Sequence, residues 1–272
     1  MKSKKVLRIA VMIVSACVFC YAAWQLIAYA LSSIQAANSA KSLSNEAVTV
    51  VETKEPTPTP APSEKPESSP AASPEPTAAP EPPKETAPIS VDFSALSAQH
   101  PDIVGWLYQP DTVINYPVVR TDNNDYYLDH TIDGKKNACG TLFMDFRDDM
   151  ESEHPVALIY GHNMKTGIMF GTVDKYREQS YFDAHPILYY ITADSAYKLE
   201  AAAGVVVDAA HSIFANGTKT QLDALQKLFE KSTFASSIPY SEEDRYVILS
   251  TCSYEYDNAR YLLICKVTAL DK

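Results

Sequence analysis

Three residues of the 272-residue chain carry side chains that together can move an acyl group. Cys252 ends the apolar run VILSTC, Arg260 opens the run RYLLICKV, and SYEYDNA between them reads as a turn. Two strands joined this way set facing side chains about 5 Å apart, so the thiol and the guanidinium lie side by side. His162 stands at the mouth of a loop, just after the apolar run PVALIYG. A cysteine attacks as its thiolate, and nearby cations lower its pKa. A histidine exchanges a proton with the thiol and then with the leaving amine. An arginine donates to the oxyanion of a tetrahedral intermediate. One Cys, one His and one Arg are commonplace as types, so the elements that position them must carry the argument.

Eight short runs rich in Val, Ile, Tyr and Phe alternate with turn signals. They are VGWLYQ, VINYPVV, CGTLFMD, VALIYG, ILYYIT, YKLEAAAGVVVDA, YVILSTC and ARYLLICKV. Such a series predicts a mainly β fold, either a closed barrel or a sandwich. One helical stretch precedes it and two interrupt it. FSALSAQH has Asp92 or Ser94 as its cap; DNNDYYLDHT follows the second run. TQLDALQKLFEKS sets Leu222, Leu225, Leu228 and Phe229 on one face, with Thr220 as a possible cap. In YLLICKV, Tyr261, Leu263, Cys265 and Val267 share one face and Arg260 belongs to the other.

Other chemistries find no support. There is no phosphate loop, no paired-glycine dinucleotide fingerprint and no HExxH. The six histidines are scattered without ligand spacing, so neither a metal nor a cofactor is expected. Asp145, Asp148, Asp149, Glu151 and Glu153 crowd one segment, which reads as a solvated acidic loop rather than a weak calcium site. The formal net charge of −11, with no basic stripe, argues against nucleic acid as a partner.

Composition divides the chain in three. Residues 1–40 hold Lys2, Lys4, Lys5 and Arg8, then an uncharged run whose core, residues 9–31, is long enough to span a bilayer. We read this as a cytoplasmic tip and an uncleaved single-pass anchor with the C-terminal part outside. Ser39-Ala40 imitates a signal-peptide cleavage site, the alternative. Residues 41–89 are rich in Pro, Glu, Ser and Thr and read as a disordered spacer carrying the rest away from the membrane, with a proline-motif ligand as the lesser reading. Residues 90–272 have globular composition and form one folded domain. Outside the span only Cys139, Cys252 and Cys265 remain, an odd number. At least one is therefore unpaired within the chain; Cys139 and Cys265 are either a pair or two buried thiols.

The folded part resembles the sortases, membrane-anchored cysteine transpeptidases of Gram-positive surfaces. The resemblance rests on Leu249-Ser250-Thr251-Cys252 with Arg260, and on Tyr160-Gly161-His162-Asn163. WLYQPDTVINYPVV, DNNDYYLDH, CGTLFMDFRDD and GHNMKTGIMFGTVDKY point to class B. It implies an eight-stranded sortase β-barrel with added N-terminal helices and a helix between strands 6 and 7. It implies Cys252 as nucleophile on a sorting-signal carbonyl, His162 as general acid and base, and Arg260 at the oxyanion. Tyr160, Ser250, Asn124 and Leu128 match substrate-groove positions, with packing as the rival role for Leu128. The implied partners are surface proteins bearing a C-terminal sorting motif, cleaved at a Thr–Gly type bond, and an amine of a peptidoglycan precursor. Three alternatives remain: a pilin-polymerising sortase, a cysteine hydrolase, and a surface binding module without chemistry.

Overall fold

A computed structural model describes residues 2–51, 85–215 and 217–271. Residues 52–84, most of the expected spacer, lie outside the described residues. Each of the eight strand-like runs coincides in large part with one strand of a closed barrel. The strands are β3 (Ile103–Tyr108), β4 (Asn115–Val119), β5 (Phe143–Met144), β6 (Val156–Tyr160), β7 (Ile187–Ile191), β8 (Ala196–Asp208), β9 (Arg245–Cys252) and β10 (Ala259–Leu270). Around the barrel they run β10-β8-β7-β3-β4-β5-β6-β9. Two seams are parallel, β4 with β5 and β6 with β9; the others are antiparallel.

Alternation along the strands sorts side chains among three cores, two of which bear on the site. Leu107, Tyr190, Leu199, Val247, Leu249, Tyr261, Leu263 and Cys265 are buried together in one. Leu158, Val205, Ile248, Leu262 and Ile264 are buried in the other, with Leu225 and Leu228 of helix α4 (Thr218–Phe229). That helix lies between the sixth and seventh barrel strands. Its N-cap is Gly217, at φ 108°, and not Thr220, which sits inside the first turn; the positive φ that ends the preceding chain is one glycine adopts readily.

Helix α2 (Phe93–Gln99) is capped by Asp92, whose carboxylate accepts from the N–H groups of Ser94 and Ala95. The stretch DNNDYYLDHT forms only a 3-10 turn, Tyr126–Leu128. The Asn123 side-chain oxygen takes the N–H groups of Asp125 and Tyr126, which favours a turn over a longer helix. Helix α3 (Gln179–Ala184) has no counterpart in the sequence reading; it is one short segment with no buried residue. The acidic loop is not solvated throughout: Asp145 and Asp148 are buried. Asp148 accepts the Leu158 N–H at 2.7 Å, and burial pushes its carboxyl up to about 6. Cys139 and Cys265 are unpaired, buried thiols.

One N-terminal helix, α1 (Lys2–Ala47), is long and apolar enough to cross a membrane. It does not end near residue 40, where the spacer was expected to begin. It continues along the barrel, with Ser33 and Ala36 buried, Ser32 accepting from Asn137 Nδ2 at 3.1 Å and Ser44 accepting from Asn115 Nδ2 at 2.8 Å. Strand β1 (Val48–Val50) follows at once and pairs antiparallel with β2 (Ile89–Val91).

Candidate active site

The β9–β10 register sets Arg260 directly opposite Cys252, and the parallel β6–β9 seam sets Tyr160 beside Ser250. Tyr160, Ser250, Cys252 and Arg260 fall on the same face as Leu158, Ile248 and Leu262. Further along the strands that face is covered by α4. At the strand ends the cover stops, and the face becomes the floor of a groove of about 360 Å³. The groove is lined by all seven residues singled out from the sequence: His162, Cys252 and Arg260 with Asn124, Leu128, Tyr160 and Ser250. Gly161 lets the chain turn from β6 to His162, because a Cβ there would overlap Leu142 and Phe170.

Interaction with the His162 imidazole, against the effect of burial and with help from Arg260, holds the Cys252 thiol below its ordinary value. The same interaction raises the His162 imidazole against its burial, with a further push from the Leu128 carbonyl. Nε2 of His162 stands 2.7 Å from that carbonyl oxygen, which only accepts, so Nε2 carries a proton. Leu128 thus contributes its backbone to the imidazole, while its side chain is 41% exposed at the groove. Arg260 bonds its neighbour's carbonyl, Ala259 O, at 3.0 Å and leaves its guanidinium beside the thiol.

Asn124 and Tyr160 meet at one buried carboxylate. Asp145 Oδ2 accepts from Asn124 Nδ2 at 2.9 Å and from the Tyr160 hydroxyl at 3.0 Å, while Arg147 Nε reaches Oδ1 at 2.7 Å. Burial alone would raise Asp145, but these donors, Arg147 foremost, hold it below the ordinary carboxylate range. The Ser250 hydroxyl is buried without a hydrogen-bond partner.

Sequence reasoning missed the residues that clamp the two strand ends together. Asn163 Nδ2 donates to the Cys252 carbonyl at 2.9 Å, and the Thr251 hydroxyl donates to the Gly161 carbonyl at 2.7 Å. Both lay in the quoted runs GHN and LSTC, but only the β6–β9 pairing gives them partners. Asp145 was read as part of a solvated acidic loop for the same reason, and its partner Arg147 was not singled out. Among the described residues no cluster of three or more His, Cys, Asp or Glu is placed to hold a metal.

No family model matches the chain. Sortase B of Listeria monocytogenes is 37% identical over 160 residues, which are 57% of this chain and 65% of that protein. The crystal structure of sortase B from Bacillus anthracis in complex with AAEK1 superposes with a TM-score of 0.59 at 34% identity, over 65% of this chain and 84% of that one. The chain belongs to the class B sortases. A sortase B–substrate complex from Staphylococcus aureus superposes with a TM-score of 0.61 at 25% identity, over 66% of this chain and 85% of that one. The class B sortase barrel, with its helix between the sixth and seventh strands, is therefore the fold of this chain.

Proposed function

We propose that this sortase cleaves a C-terminal sorting signal at a Thr–Gly type bond and passes the acyl group to an amine of a cell-wall precursor. The observation that carries the proposal is the coupled Cys252–His162 pair beside Arg260 in an open groove. The Cys252 thiolate adds to the scissile carbonyl, forming the C–S bond, and the developing oxyanion lies against the Arg260 guanidinium. Collapse breaks the C–N bond, and imidazolium His162 delivers its proton to the departing amine. A second amine then adds to the thioester. Neutral His162 takes its proton, the C–S bond breaks, and thiolate and imidazolium are restored.

Leu128 offers a bound peptide an exposed apolar side chain at the groove. Asn124 and Tyr160 shape its wall through Asp145. In the same proposal residues 1–40 carry the cytoplasmic tip and the single-pass anchor, with the basic residues inside and the barrel outside the cell. The test is mass spectrometry on the protein with a sorting peptide. An acyl-enzyme adduct on Cys252 and diversion of product from acid to amide by an added amine are expected. Product that stays free acid at every amine concentration would make the protein a hydrolase.

A further inference from the structure

We propose that the mouth of the groove is held against the outer leaflet of a phospholipid bilayer, with Tyr254 and Tyr256 of the β9–β10 loop set among the headgroups. The inference rests on the reading of α1 as a membrane anchor. The apolar core of that helix ends near Leu31, and docking on the barrel begins at the next residue, where Asn137 Nδ2 donates to the Ser32 carbonyl. Ser33, buried, lies 3.8 Å from the Cys139 sulfur, and Ala36 enters the core. At about 1.5 Å of rise per residue, no more than one helical turn separates the bilayer surface from the barrel.

The barrel at that end of α1 leads to the site: Cys139, against Ser33, precedes Gly140, which lies close against the Leu128 carbonyl that meets His162. Tyr254 follows Cys252 by two residues, and its hydroxyl bonds the Asn163 carbonyl at 3.3 Å, while Asn163 in turn bonds the Cys252 carbonyl. Burial, then Cys252, then Tyr29 of α1 raise the Tyr254 hydroxyl. Tyr254 is 72% exposed and Tyr256 47% exposed. Tyrosines with one end apolar and the other wet are side chains that settle at membrane–water interfaces. The Pro-rich stretch supplies no distance between span and barrel. Its flanks are closed on each other: Val48 pairs with Val91, and the Val51 N–H bonds the Pro88 carbonyl at 2.9 Å. The reach expected of a spacer is therefore absent from the path between anchor and site, and an acceptor or peptide that is itself membrane-borne meets the thiol at the surface.

The test uses the full chain in vesicles of phosphatidylcholine and phosphatidylglycerol, with Cys17→Ser, Cys20→Ser and Cys252→Ala to leave one labelling site. A fluorophore at Tyr254→Cys is compared with one at Glu243→Cys, at the far end of β9. Headgroup-nitroxide lipid is expected to quench the first several-fold more than the second. Equal quenching in a chain that floats with the vesicles overturns the inference and leaves the anchor standing. A chain that does not float removes both. Quenching at Tyr254→Cys that disappears on diluting protein in lipid, as contact between two copies would give, also overturns it. A flexible Gly-Ser insertion between Leu31 and Ser32 should erase the difference while a version with Cys252 still turns over soluble peptide. Deleting residues 52–84 should leave the difference intact; its loss would restore the spacer and overturn the inference.

Discussion

The β9–β10 hairpin carries a cysteine in each of two regions, and they have opposite characters. At the loop end, Cys252 faces Arg260, interacts with His162 and is held below its ordinary value. In the middle, Cys265 faces Val247, is completely buried among Tyr261, Leu263 and Leu249, and is pushed up by burial alone. One hairpin of one sheet thus holds a nucleophile and an inert filler. Residue type decides nothing here; access to a cation and a proton carrier decides everything.

The strongest way to break the contrast is to exchange the two thiols for methyl groups. Cys252→Ala should lower peptide turnover by roughly 10⁴-fold or more and remove the acyl-enzyme mass, whereas Cys265→Ala should leave turnover within about twofold. Measurable acyl transfer in Cys252→Ala would end the assignment. Arg260→Lys keeps the charge and loses the planar fork of donors. A loss of roughly 10²-fold in kcat is expected, with the rate of thiol alkylation little changed, since the cation beside the sulfur remains.

The pH profile sharpens the comparison next. With the thiol lowered and the imidazole raised, the thiolate–imidazolium pair exists between the two apparent values. The kcat/KM of soluble peptide should fall about tenfold per pH unit below the lower value, as the thiolate is protonated. It should fall likewise above the upper one, as the imidazolium is lost. A profile rising steadily to pH 9 would describe an ordinary, Cys265-like thiol. The smallest effect is on stability: Cys265→Ala opens a small void in the core and should cost about 1–2 kcal/mol by denaturant titration.

Much of this fold was legible because its strands are short, β-branched and bounded by turns, so that each run from VGWLYQ to ARYLLICKV coincided in large part with one strand. The Cys252–Arg260 juxtaposition was legible as well, since a hairpin is a local structure. The parallel β6–β9 seam was not, because nothing local announces a pairing between residues ninety positions apart; Asn163 and Thr251 were hidden with it. Asp145 looked like surface charge for a related reason: its donors, Asn124 and Tyr160, are remote in sequence. DNNDYYLDHT misled because Asn and Asp side chains compete for the backbone N–H groups a helix would use. Composition marked both the apolar span and the Pro-rich stretch. It gave no sign that β1 and β2 would pair across the latter, which turns a tether into a side excursion.

The long-range seam makes thiol chemistry a late event in the life of the chain. A nascent or still-threading polypeptide has neither the Asn163 nor the Thr251 clamp, and closing a loop of that length must come before either forms. Until then Cys252 has the sluggish thiol of any unfolded peptide, so the transpeptidase stays unarmed until the barrel closes. Its alkylation rate would serve as a stopwatch for barrel closure, read from a single sulfur.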